Sequence, residues 1–60
     1  MIDVVAAAEE AFGDTAKAHA WLNRANRALD GETPLGVAET DQGARAVEAL
    51  LGRIAHGIAG

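Results

Sequence analysis

Residues 40–58 read TDQGARAVEALLGRIAHGI, the most periodic stretch of the chain. Ala44, Val47, Leu51, Ile54 and Ile58 recur at spacings of three and four, with Leu50 alongside. That recurrence marks one apolar stripe of an amphipathic helix. Thr40 is a good cap and Asp41 suits the positive end of a helix, so the pattern predicts a helix from Asp41 to about His56. The opposite face carries Arg45, Ala49, Gly52, Arg53 and His56. A face that only meets water favours glutamate and lysine, and glycine inside a helix costs about 1 kcal/mol relative to alanine. Two readings of this face stay open: drift on a solvated surface, or a place where another backbone comes close.

A long one-sided helix needs other helices to cover its stripe, and the rest of the chain supplies them. Upstream, PLGVAE reads as a short helix after the cap Thr33, with Pro34 at its first position and Gly36 weakening it. Before that, NRANRALDGETP is the one long irregular segment, with a turn signal at Asp30-Gly31. Asp14 caps a helix from Thr15 to Leu22 or Asn23, whose inward side carries Ala18, Trp21 and Leu22. A first helix runs from about Asp3 to Phe12, with Val5, Ala8, Ala11 and Phe12 inward and Glu9 and Glu10 in water. Gly13 ends it. The expected fold is all-α: one small domain, residues 1–60, of three to four helices with a long C-terminal helix. Its expected core is Phe12, Trp21, Leu22, Leu35, Val47, Leu51 and Ile54, with Trp21 at the centre.

Composition sets limits on what such a domain can do. Half of the 60 residues are apolar, but many of those are alanine, which buries little area. A chain this short buries only about 60% of its unfolded surface and is marginal by itself. There is no cysteine to staple it or to bind metal, so a second copy or another partner is the remaining source of stability. The net charge of −4 and five scattered basic residues argue against nucleic acid as a partner of this chain. Phe12 and Trp21 are too few aromatics for base stacking. No apolar run is long enough to span a membrane, and the acidic start MIDVVAAAEEAF is not an export signal. Those features point to the cytoplasm.

The chemistry-bearing residues form no constellation. His19 has no histidine four residues away, the pairing a helical metal site uses, so no metal is expected. His56 stands in the last turn of its helix, where a protonated ring meets the negative end of the dipole; a hydrogen bond to a partner is the sharper alternative. Glu9, Glu10, Asp30, Glu32, Glu39 and Asp41 show no carboxylate pair in a pocket, and the core is too small to wall one off. Neither catalysis nor a cofactor is expected.

Read together, AFGDTAKAHAWL, NRALDGETPLGVAET and GARAVEALLGRIAHGI resemble the toxin-binding domain of the Xre/MbcA/ParS antitoxin family. The matching positions are Phe12-Gly13, Trp21-Leu22, Asn26 to Leu35, Thr40 to Gly43, and Arg53-Ile54 with Gly57. Arg27 stands where the family often has proline. The resemblance implies a non-enzymatic antitoxin of a bacterial toxin–antitoxin pair. Its implied partner is a toxin of the RES family, which consumes NAD, and the C-terminal region of the antitoxin lies over the NAD cleft. It also implies self-association, here as a homodimer. Family members carry a DNA-binding-like domain ahead of this one, and this chain begins directly with the toxin-binding helices. Under this reading the toxin-binding residues are Arg45, Ala49, Gly52, Arg53, His56, Gly57, Ile58, Ala59 and Gly60. Gly57 lets the backbone leave the helix, and the small tail enters the cleft. The alternative is a homodimerisation module of a transcriptional regulator that touches no toxin.

Overall fold

The computed structural model describes residues 3–59, with side chains described through Gly57. Its elements are α1 (Val4–Phe12), α2 (Thr15–Leu22), a single 3-10 turn (Arg27–Leu29), α3 (Pro34–Val37) and α4 (Asp41–Ala59). No strand occurs among the described residues; the one isolated bridge joins Asn26 and Glu32.

Local capping chemistry accounts for where these helices start. The Asp3 carboxylate accepts from the Val5 and Ala6 N–H groups at 3.1 Å each. Asp14 does the same for Ala16 at 2.8 Å and Lys17 at 3.2 Å. Each satisfies donors that the first helical turn leaves unpaired. Gly13 closes α1 in the left-handed region, φ 66°, and its N–H donates to the Glu9 carbonyl at 2.8 Å. With only Gly13 and Asp14 between them, α1 and α2 fold back on each other as a hairpin.

The irregular segment is organised around Asn26. Its side-chain oxygen accepts from Ala28 N–H at 2.9 Å. Its carbonyl accepts from Leu29 at 3.0 Å and Gly31 at 2.9 Å, and its own N–H donates to Glu32 at 3.0 Å. The chain thus reverses inside six residues, with Asp30 (φ 57°) and Gly31 (φ 84°) both left-handed. Thr33 then caps α3 through Gly36 N–H at 3.1 Å, and Thr40 caps α4 through Gly43 N–H at 2.9 Å. Gly43 has a second task. A Cβ there would lie 1.7 Å from the Val37 carbonyl oxygen, so the end of α3 abuts the first turn of α4 backbone to backbone.

The buried core is Val4, Ala8, Ala18, Leu22, Ala44, Val47 and Leu51. Two expectations fail here. Trp21 is half-buried at the rim, in a tilted pair with Phe12 at 5.8 Å between ring centroids. The interior positions of α1 and α2 are held by Val4, Ala8, Ala18 and Leu22, and the indole packs against that cluster from its edge. Leu35 is exposed, 37% by area, where a core position was expected. Pro34 fills the buried position at the start of α3, and Leu35, about 100° further round a one-turn helix, faces out. Leu22, Val47 and Leu51 are core as expected, while Phe12 and Ile54 are half-buried. The core is therefore smaller than its list of large side chains suggests.

The last helix also runs further than the sequence predicts. It continues to Ala59, so Gly57 is a helical residue with no positive φ and is not the hinge expected of it. Nothing lies within 4 Å of where its Cβ would be, and backbone hydrogen bonding carries the helix through.

Candidate functional site

Because α4 buries Ala44, Val47 and Leu51, its opposite side faces away from the core. Arg45, Ala49, Gly52, Arg53, His56 and Gly57 are all exposed there, on one continuous helix. The structure therefore brings these predicted residues onto one strip. Ile58 and Ala59 continue the helix, but their side chains, and Gly60, lie outside the described residues.

Two shallow grooves run along the flanks of this strip. The first, of about 280 Å³, lies between α1 and α4 and has Ala7, Glu10, Ala11, Glu48, Leu51, Gly52 and Ala55 as its walls. The second, of about 300 Å³, lies between the 3-10 turn and α4, with Ala28, Leu29, Ala46, Ala49, Leu50 and Arg53. Sequence reasoning missed the walls that α1 and the 3-10 turn contribute. Periodicity along one helix carries no information about what a neighbouring element adds beside it. Leu50 was legible as lying next to the stripe, and it is half-buried against the second groove.

The rest of the surface offers little chemistry. Among the described residues no polar or charged side chain is buried, and no three of His, Cys, Asp and Glu converge as metal ligands would. His19 approaches Glu9 at 3.5 Å across the α1–α2 hairpin, with both side chains substantially exposed. Such a pair contributes little in water. No helix among the described residues is long and apolar enough to cross a membrane. What the geometry provides is a surface: one helix face of small and basic residues between two apolar grooves.

Comparison with known proteins agrees with a binding surface. The model of the antitoxin Xre/MbcA/ParS C-terminal toxin-binding domain matches residues 7–57. An Antitoxin Xre of Pseudomonas putida is 39% identical over 54 residues, which cover 90% of this chain and 34% of that protein. An Antitoxin Xre of Photorhabdus laumondii subsp. laumondii is 46% identical over 46 residues, 77% of this chain and 31% of that protein. The chain thus spans about a third of the length of these relatives. No solved structure matches it. The chain belongs to the Xre/MbcA/ParS antitoxin family and carries that family's toxin-binding domain.

Proposed function

We propose that this domain neutralises a RES-family toxin by laying the outer face and C-terminal end of α4 across the toxin's NAD cleft. The observation that carries this reading is the exposed strip of Arg45, Ala49, Gly52, Arg53 and His56, which the domain's own core does not use. Each residue has a role suited to a protein surface. Ala49 and Gly52 let another backbone approach. Arg53 offers planar, permanently charged donors to carboxylates or carbonyls on the cleft rim. His56 offers a ring N–H in either protonation state. Since α4 continues through Gly57, the end enters as a helix rather than as a loose tail. Gly57, Ile58, Ala59 and Gly60 would then follow the helix axis toward the NAD site.

The antitoxin is not an enzyme in this account; it acts by occlusion in the bacterial cytoplasm, where NAD is found. It also self-associates as a two-fold dimer. Among the described residues, three of the seven that form the core are alanine, which leaves burial against another chain as the means of adding stability.

The test is an NAD-consumption assay with a RES-family toxin. Wild-type antitoxin should stop NAD loss. Arg53→Glu, and separately removal of Ala59-Gly60, should leave a folded domain that protects less. If neither change weakens protection, the cleft is not covered by this end of α4. If the antitoxin forms a homodimer indifferent to the toxin, the domain is an association module instead.

A further inference from the structure

Two acidic side chains stand where the helices that carry them give no reason for a charge. Glu10 lies in the last turn of α1, which holds no basic residue. That end of a helix is its negative pole, so a carboxylate there costs stability. Its neighbour Glu9 faces His19 in the one ion pair among the described residues, and Glu10 takes no part in it. Glu48 lies mid-helix in α4, with Ala44 and Gly52 four residues to either side. It therefore lacks the cation at that spacing which steadies an exposed helical acid, and Arg45, three residues before it, makes no ion pair with it.

The fold brings both acids to the groove between α1 and α4, one from each wall. Between them the surface is apolar and low: Leu51 is buried, Ala7, Ala11 and Ala55 are half-buried, and Gly52 is open. A free ligand of drug size occupies a pocket of roughly 300–1,000 Å³ that buries most of it. This groove is smaller, about 280 Å³, and shallow, so it suits one long side chain of another protein. An apolar floor under two carboxylates matches an apolar stem that ends in a cation. Arginine fits better than lysine. Its planar head carries five donors, enough to serve both walls at once, and it gives up water more readily.

We propose that the α1–α4 groove seats an arginine of the toxin, its stem over Ala7, Ala11 and Gly52 and its guanidinium between Glu10 and Glu48. This rests on the toxin reading above, and Gly52 joins the groove to the strip proposed there. The two flanks of α4 then ask for opposite charges, a cation at Glu10 and Glu48 and an anion at Arg53. A toxin surface with that order of charge fixes how α4 lies on it, and the reverse order is rejected.

The groove is tested first without toxin. The peptide acetyl-Leu-Arg-Leu-amide is titrated into the isotope-labelled 60-residue chain, and amide shifts are followed by NMR. Saturable shifts should centre on Ala7, Ala11, Gly52 and Ala55. They should vanish in the Glu10→Gln/Glu48→Gln double variant and with citrulline in place of arginine, which keeps the shape and drops the charge. Shifts centred elsewhere, or equal shifts with the citrulline peptide, would overturn the proposal. The NAD-consumption assay with a RES-family toxin follows, with helix content checked by circular dichroism. Both glutamates are exposed and glutamine is as good a helix former, so the variants should stay folded. Each single change should weaken protection about threefold, the scale of one partly exposed ion pair. The double variant should lose about tenfold. Glu39→Gln, exposed and outside the groove, should protect as wild type does. A double variant that protects fully, or a Glu39→Gln variant that loses as much, would overturn the proposal. A toxin that ignores the wild-type chain overturns the function above and the toxin as occupant; the peptide titration still decides whether the groove takes arginine.

Discussion

The glycines of the α3–α4 junction and of the outer face of α4 sit only a few turns apart, yet their surroundings are opposite. At Gly43 the fold itself demands glycine, because a Cβ would fall 1.7 Å from a backbone oxygen of α3. At Gly52 nothing lies within 4 Å of the same construction, and the backbone is ordinary helix. Gly52 therefore costs helix stability with no return inside the domain. The difference teaches how to separate residues that build this fold from residues that the fold merely displays. Asn26, Thr33, Pro34, Thr40 and Gly43 are builders, each with a hydrogen bond, a buried ring or a tight approach. Arg45, Ala49, Gly52, Arg53 and His56 are displayed.

The comparison is most severely tested in the core. Leu22→Ala should lower stability by about 3 kcal/mol, as truncations of fully buried leucines do. Trp21→Ala, although it deletes a larger side chain, should cost less than Leu22→Ala, because the indole lies at the rim against Phe12. Urea denaturation of the two variants checks the order. A larger loss for Trp21→Ala would restore the tryptophan to the centre of the core.

Next in size is Gly43→Ala. The clash is with backbone, which cannot rotate away, so a loss of about 2 kcal/mol is expected, typical of an overpacked site. A wild-type melt would mean that the α3–α4 junction is looser than described. Smaller, and of opposite sign, is Gly52→Ala, which should stabilise the isolated domain by about 0.5–1 kcal/mol through helix propensity alone. A destabilised Gly52→Ala variant would move Gly52 from the displayed set to the builders.

Much of the builder set was legible in the sequence because caps act over three or four residues. Asp14, Thr33 and Thr40 could be placed as caps from their own neighbours, and all three hold the expected N–H groups; Asp3, read as the first residue of its helix, is instead the cap of α1. Trp21 and Leu35 were misplaced because side-chain size does not say which position of a short helix points inward: Ala18 and Leu22 hold the interior of α2, and Pro34 takes the buried place beside Leu35. The end of α4 was read three residues short because Gly57 resembles a stop signal, whereas the helix continues through it. Of the candidate site, the strip on α4 was visible as a helical repeat. Its two grooves were not, since α1 and the 3-10 turn reach it only in three dimensions.

The central claim is that the outer face of α4 serves a partner and not the fold, and Gly52→Leu addresses it most directly. The variant fills open space on the domain with a good helix former, while placing a bulky side chain in the middle of the strip. Its thermal melt and its protection in the NAD-consumption assay are measured side by side. The account predicts a melting temperature at or above wild type together with at least about tenfold weaker protection, the scale of one lost well-packed contact. A variant that is equally stable and protects as well as wild type would contradict it.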